Sequence, residues 1–296
     1  TLVALAAQND SIVGITPAMP TGSSMKLMME AFPDRSFDVG IAEQHAVTLA
    51  AGMATAGLLP FCAIYATFLQ RAYDQVIHDV ALQNLGVVFC LDRAGLVGQD
   101  GPTHHGVFDI AMLRAIPNMR ILAPRNEIQL RNTLYTLQLG ISGPIAIRYP
   151  RGHGNLPEWE LPFEKIDFKK GTQIKSGKQT ALISVGTTAD NVSQAMELLK
   201  EKCTPGHYDL GSIKPLDTEL LHHVFKNYTS IITVEDGALL GGAGSAVLEW
   251  ANDHGYSQAV KRIGIPDSFI PHGTTSQLQK LVGLEPAGIA EVILGV

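Results

Sequence analysis

The segment Phe37-Asp38-Val39-Gly40-Ile41-Ala42-Glu43-Gln44-His45-Ala46, with the Ala-rich run to Ala56 and the stretch Phe61-Cys62-Ala63-Ile64-Tyr65, decides the fold. Phe37 to Gly40 reads as a strand, Glu43 to Ala56 as a helix closed by Gly57, and Phe61 to Tyr65 as a second strand. Two strands joined by a helix-length run pair in parallel, because the helix carries the chain back across one face of the sheet.

The same alternation extends outward from this unit. Upstream, Ile12 to Ile15 is strand-like, and Thr21-Gly22-Ser23 supplies capping residues for a helix over Met25 to Ala31 that Pro33 ends. Downstream, Leu69, Ala72, Tyr73, Val76, Ile77 and Val80 fall at three- and four-residue steps and make one apolar helix face. Val87 to Leu91 is a buried strand followed by a Gly-rich loop to about Gly106; then come strand Met119 to Ala123, helix Glu127 to Leu139 and strand Ile145 to Arg148.

Between Gly152 and Gly171 the period is lost among Pro157, Trp159, Pro162 and mixed charges, which reads as a linker. Alternation then restarts with strand Thr180 to Val185, helix Ala189 to Glu201, strand Tyr208 to Leu210 and helix Thr218 to Phe225. Strand Ser230 to Val234, helix Gly242 to Trp250, a strand near Ala259 to Ile263 and two helical stretches, Thr275 to Val282 and Pro286 to Ile293, complete the chain. The expected architecture is α/β: two open, mainly parallel sheets with helices on both faces. One domain spans 1–152, a linker 153–170, and a second, smaller domain 171–296.

Composition agrees with a packed protein and narrows its partners. The 296 residues suggest about two domains, and 46% hydrophobic against 17% charged residues argues against disorder. A net charge of -6 without a Lys/Arg block makes nucleic acid a poor partner. Apolar runs such as Val87 to Leu91 are strand-sized, so no membrane span is expected, and no signal peptide is visible. Cys62, Cys90 and Cys203 are scattered, two of them inside apolar runs, and form no disulfide or zinc framework. The chain opens at Thr1 without an initiator Met, which suggests a piece of something longer.

In a parallel sheet ligands bind beyond the carboxyl ends of the strands. The residues just past each strand end here are unlike the rest of the chain: Glu43 after the second strand; Tyr65, Phe68 and Arg71 after the third; Arg93, Asp100, His104 and His105 after the fourth; Arg125 and Arg151 after the next two. From position alone, Glu43 reads first as a helix-terminal acid, favoured by the dipole. Phe68 reads as core, and Arg93 and Arg151 read equally well as partners of Asp92 or Asp100. A His-His pair in a Gly-rich loop raises metal, but no carboxylate or Cys stands at a metal-site spacing. Gly237-Ala238-Leu239-Leu240-Gly241-Gly242-Ala243-Gly244 lacks the GxGxxG pattern, and close helix packing is the better reading.

Four strings carry a family resemblance: Asp38 to Ala46, Tyr65-Ala66-Thr67-Phe68-Leu69-Gln70-Arg71-Ala72-Tyr73-Asp74-Gln75, the loop Asp92 to Gly106, and Arg148-Tyr149-Pro150-Arg151-Gly152. Together they resemble the 1-deoxy-D-xylulose-5-phosphate synthase family of thiamine-diphosphate enzymes, within the transketolase superfamily. The region around Glu43 is similar across the superfamily, whereas Thr67 to Arg71 and Asp100 to Gly106 resemble this synthase family specifically. The resemblance implies a transketolase-like pyrimidine-binding domain followed by a transketolase C-terminal domain. It implies condensation of pyruvate with D-glyceraldehyde 3-phosphate to 1-deoxy-D-xylulose 5-phosphate and CO₂, in isoprenoid, thiamine and pyridoxal biosynthesis.

It also implies roles. Glu43 would hydrogen-bond N1′ of the cofactor's aminopyrimidine and favour the tautomer whose N4′ removes the thiazolium proton, the hard chemistry being the cofactor's. Phe68 would stack on the pyrimidine, with Arg71 a weaker cofactor-side contact or salt bridge. Arg93 and Arg151 would clamp the acceptor phosphate as guanidinium forks. Tyr65 and Asp100 would hydrogen-bond the same substrate, and His104 would assist proton transfer. A homodimer is implied, in the cytoplasm, or in a plastid for a plant or alga.

One family pattern is missing. Thiamine enzymes hold diphosphate and Mg²⁺ with Gly-Asp-Gly followed at a set distance by Asn. Here Asp100-Gly101 follows Gln99, and Asp236-Gly237 follows Glu235; neither has the pattern's first residue or spacing. The metal and diphosphate ligands are therefore expected in an N-terminal domain outside this chain, which alone would be half an active site and inert. Two other readings stand beside that one. The first is a separate pyrimidine-binding subunit of a two-chain transketolase or 2-oxoacid dehydrogenase E1. The second is a non-catalytic module, against which the intact set Glu43, Phe68, Arg93, Asp100, His104 and Arg151 argues.

Overall fold

The computed structural model describes residues 1–295. The first stretch runs α1 (Leu2–Ala6), β1 (Ile12–Thr16), α2 (Met25–Ala31), β2 (Ser36–Asp38), α3 (Glu43–Thr55), β3 (Leu59–Tyr65), α4 (Tyr73–Gln75), β4 (Val88–Asp92), α5 (Asp109–Arg114), β5 (Arg120–Leu122), α6 (Glu127–Gln138) and β6 (Ile145–Arg148). A tract without regular structure comes next. Then come β7 (Thr172–Lys175), β8 (Thr180–Ser184), α7 (Thr188–Leu198), β9 (Gly206–Asp209), β10 (Ser212–Lys214), α8 (Thr218–Asn227), β11 (Ser230–Ala238), α9 (Ala243–Asp253), β12 (Val260–Ile265), α10 (Thr275–Leu281) and α11 (Pro286–Leu294).

The strands form two sheets, ordered β10-β5-β6-β4-β3-β1-β2 and β12-β11-β8-β9-β7. Every pairing is parallel except β10 against β5 and β7 against β9. β1, β3 and β4 are buried along their whole length, as strands covered on both faces must be, which is why their sequences are continuous apolar runs. Register then fixes the rim. Thr16 lies opposite Asp38, Tyr65 opposite Asp92 and Leu91 opposite Arg148, so the carboxyl ends of β2, β1, β3, β4 and β6 line up on one edge.

Several local expectations change. The turn before α2 is not closed by side-chain caps: the residue preceding the helix is Ser24, left-handed at φ 61°, and it makes no capping hydrogen bond. Ser23 instead turns its hydroxyl back to the Met19 carbonyl at 2.6 Å. The apolar stripe after β3 is helical but not uniformly α; a 3-10 turn over Phe68–Ala72 leads through α4 into a π-type turn over Val76–Ala81. Leu69, Ala72, Val76 and Val80 are nonetheless fully buried, so burial of the stripe outranks ideal winding.

Four elements lie outside the sequence expectations: α1, α5, β7 and β10. β10 is instructive, since it comes after the linker in sequence yet completes the first sheet. Its place is secured by Ala123 N donating to Gly211 O at 2.7 Å and by Lys214 Nζ donating to the Arg114 carbonyl at 2.8 Å. The two sheets accordingly share one apolar core, in which Ile121 and Ile213 pack with Ile183, Tyr208 and Val247. Among the described residues no helix is long and apolar enough to cross a membrane.

Candidate active site

Glu43 begins α3 directly after the β2 rim, and no side chain caps that helix start. Ala46, Val47 and Ala50 press the helix into the core, so Glu43 is carried inward with 2% of its surface exposed. A buried carboxylate needs a partner, and it has one: Arg71 Nη1 lies 3.3 and 3.4 Å from its two oxygens. That guanidinium is 54% exposed, so the pair sits with the acid inside and the base at the edge.

From Arg71 a chain of ring contacts runs along the rim. The guanidinium is 5.5 Å from the Phe68 ring. Phe68 stacks on Tyr65 at 5.6 Å and 15°, and meets His104 edge-on at 5.3 Å. Arg93 lies over the face of Tyr65, its guanidinium carbon 3.7 Å from the ring centre. Burial raises the Tyr65 phenol, with Arg93 acting against it. His104 shares a 2.9 Å hydrogen bond with Thr103 Oγ1, and Thr67 Oγ1 ties this turn down by donating to the Thr103 carbonyl at 3.2 Å.

Arg93 and Arg151 line a single cavity of 330 Å³ with Gly22, Ser24, Asp92, Tyr149 and His153. Both guanidinium groups are paired with the neighbouring carboxylates that the sequence offered. Arg93 donates to Asp92 at 2.7 Å and to the Gly22 carbonyl at 3.1 Å, while Arg151 donates to Asp100 at 2.8 Å. The first pair is mostly buried; burial pushes Asp92 up to about 6 although Arg93 opposes it. The second is 44% and 43% exposed, and such a pair opens at little cost. Asp100 therefore stands as a partner of Arg151. Arg93 has a left-handed backbone, φ 62°, an uncommon conformation for a non-glycine residue.

The loop between β4 and α5 is pinched by reciprocal hydrogen bonds between Gly95 and Gly106 at 2.8 and 2.9 Å. Gly106 has to be glycine, because a Cβ there would strike the Arg93 carbonyl and Ala66. His105 points into the structure: it is 3% exposed, its Nδ1 accepts from Val97 N at 3.0 Å, and its Nε2 is 3.2 Å from the Pro271 carbonyl. With Nδ1 accepting, the proton belongs on Nε2, and both ring nitrogens are satisfied within the fold.

Two features were not visible in sequence. Arg148, which reads as the last residue of a strand, is 3% exposed and donates to Asp109 at 2.8 Å and to Asp236. An arginine ending an apolar strand was the only signal, since its partners are 39 and 88 residues away. The glycine stretch before α9 does close on an anion, the chain's own: Glu235 accepts from the amides of Ala243 and Gly244 at 2.7 and 2.8 Å. Close packing is also present there, since a Cβ on Gly244 would meet Thr233 and Arg262.

The donor set fits an aminopyrimidine: a buried carboxylate beside a half-exposed aromatic ring. Among the described residues no group of three or more His, Cys, Asp or Glu side chains is placed to hold a metal ion.

Known proteins are similar to this chain in sequence and in fold. The transketolase pyrimidine-binding domain family matches residues 1–157, and the transketolase C-terminal domain family matches 169–289. The 1-deoxy-D-xylulose-5-phosphate synthases of Cytophaga hutchinsonii and Bacteroides fragilis are 56% and 55% identical over 295 residues, 99% of this chain but 46% of theirs. The chain thus spans about half the length of the curated relatives it matches. A solved structure described as a split gene transketolase, inactive beta4 tetramer, superposes with a TM-score of 0.88 at 29% identity, covering 99% of this chain and 94% of that one. Transketolase from Campylobacter jejuni shares the fold at a TM-score of 0.78 and 19% identity, over 100% of this chain and 45% of its own. With two matching families, a common two-sheet architecture and a rim of acid, ring and guanidinium groups, the chain belongs to the transketolase family, where it is similar to the C-terminal part of 1-deoxy-D-xylulose-5-phosphate synthases.

Proposed function

We propose that this chain is the pyrimidine-binding and acceptor-binding half of a 1-deoxy-D-xylulose-5-phosphate synthase, joining pyruvate to D-glyceraldehyde 3-phosphate with release of CO₂. The observation that carries the reading is the unbroken contact chain Glu43–Arg71–Phe68–Tyr65–Arg93, from a buried carboxylate to a basic cavity. Thiamine diphosphate, when bound, supplies the thiazolium nucleophile and the electron sink for decarboxylation. Glu43 would hold a proton against pyrimidine N1′, and Phe68 would cover the ring face. Arg71 would keep the Glu43 carboxylate aligned. Arg93 and Arg151 would exchange their carboxylate partners for the acceptor phosphate, with Tyr65 and Asp100 orienting the acceptor and His104 delivering or receiving a proton beside it.

Mg²⁺ and the diphosphate belong, in this reading, to an N-terminal domain like the remaining length of the relatives. A homodimer, a cytoplasmic setting and a domain border within 153–170 complete the proposal. The split gene transketolase, matched nearly end to end, supports a second reading: a separate subunit that needs a partner chain.

The test joins this chain to the half carrying the diphosphate site and follows CO₂ release and product formation with thiamine diphosphate, Mg²⁺ and both substrates. Arg93→Ala and Arg151→Ala should each raise the acceptor KM about 10- to 100-fold with little change in kcat, because a phosphate held in ground and transition states is bound uniformly. Unchanged acceptor kinetics in both variants would reject the phosphate site.

A further inference from the structure

Gly22 stands in the turn between β1 and α2, on the wall of the 330 Å³ cavity. Its φ is not in the left-handed region, so the main chain itself does not demand glycine here. What demands it is the neighbour facing its α-carbon. A Cβ at this position would fall on the Tyr65 hydroxyl, 3.0 Å from Tyr65 Cζ and 3.3 Å from Arg93 Nη2. The Gly22 carbonyl meanwhile accepts from Arg93 Nη1 at 3.1 Å.

Both neighbours are held by other contacts. Tyr65 ends a fully buried strand and is stacked on Phe68. Arg93 is pressed onto the Tyr65 ring and tied to Asp92. The turn, the tyrosine and the arginine interlock from three separate segments of chain, and the absence of one side chain is what lets them close.

We propose that Gly22 is a positioning residue for the acceptor site, setting the Tyr65–Arg93 pair by holding the guanidinium from its carbonyl and leaving the tyrosine hydroxyl room. The inference rests on the acceptor-phosphate reading above. Because no backbone strain accompanies Gly22→Ala, its effect acts through the contact alone.

In the assembled enzyme, Gly22→Ala should raise the KM for glyceraldehyde 3-phosphate about tenfold, leaving kcat and the pyruvate KM within about twofold, since a displacement of this size misplaces a binding group without touching the reacting atoms. Adding Tyr65→Phe removes the hydroxyl that collides, so the double variant should bind the acceptor better than the product of the two single effects. A merely structural glycine would lower the thermal midpoint with the acceptor KM unmoved and the two changes independent, and that result overturns the inference. Should Gly22→Ala not fold alone, the folded Gly22→Ala/Tyr65→Phe variant is read against Tyr65→Phe: a further rise in acceptor KM supports the positioning role, since the added methyl still lies 3.3 Å from Arg93 Nη2, and an acceptor KM equal to that of Tyr65→Phe overturns it. Arg93→Ala separates the two levels: if it too leaves the acceptor KM unchanged, the acceptor site itself is wrong; if it raises KM while Gly22→Ala does not, only the role of Gly22 falls.

Discussion

At the scale of single residues, Glu43 shows how burial and the proposed function bear on one side chain. Its helix is packed by small apolar side chains, which leaves the carboxylate nowhere to go but the rim, beside a half-exposed arginine. Glu43→Gln keeps the size and loses the charge. In the assembled enzyme it should slow turnover at least about 100-fold, the usual worth of a proton-handling group, with the thermal midpoint nearly unchanged. Single-turnover CO₂ release measures this, and a rate within a few-fold of the parent would remove the residue from catalysis. Phe68 illustrates why sequence leaves some residues open: core and ligand-stacking readings use the same side chain. Its ring is half-buried against the core and still presents itself to Tyr65 and His104. His105 could be read in several ways from the loop alone, and its role came from two backbone groups, one of them 166 residues away.

At the scale of elements, α9 owes its start to Glu235, a fully buried carboxylate that accepts from two orphan amides of the first turn. Burial pushes Glu235 from 4.5 up to about 7, outweighing those amides. An acid whose folded value stands above its unfolded one holds its proton more tightly when folded. Its contribution is complete below pH 4.5 and lost as the pH climbs through 7. Stability should therefore fall over that window by on the order of 2–3 kcal/mol from this group, and Glu235→Gln should flatten the slope by a similar amount. Urea unfolding at pH 5 and pH 7 decides it; equal slopes in parent and variant would exclude Glu235 as the source. Asp209 adds to the same trend: burial raises it to about 7, and neither oxygen closes a hydrogen bond, although the Gly186 and Gly211 amides and Gln129 lie close enough to favour the ionised form. The periodic elements were legible because apolar spacing marks them. β10 was not, since three residues carry no period and their partner strand lies in the other half of the chain.

At the scale of the whole molecule, Arg148 joins the parts. One buried guanidinium on β6 holds Asp109 at the start of α5 and Asp236 on β11, linking the strand before Arg151, the loop that carries His104, and the second sheet. Gly95 packs so tightly beside Asp236 that a Cβ there would strike its carboxylate. Arg148→Met leaves two carboxylates facing each other in the interior, which should cost about 3–5 kcal/mol and lower the thermal midpoint by about 10 °C. Calorimetry tests this, with Asp236→Asn in the same background expected to restore part of the loss; a midpoint within about 2 °C of the parent would show the network to be dispensable. The amino-acid order alone determined the alternation of strand and helix, the parallel sheets and the set of polar groups at the strand ends, because each is written in local spacing. Only the tertiary structure decided which of those groups meet: that Arg71 faces Glu43, that Arg93 lies on Tyr65 beside Gly22, and that Arg148 is bound inside. Those are contacts between segments far apart in the chain, settled by register and packing and by the need of each buried charge for a partner.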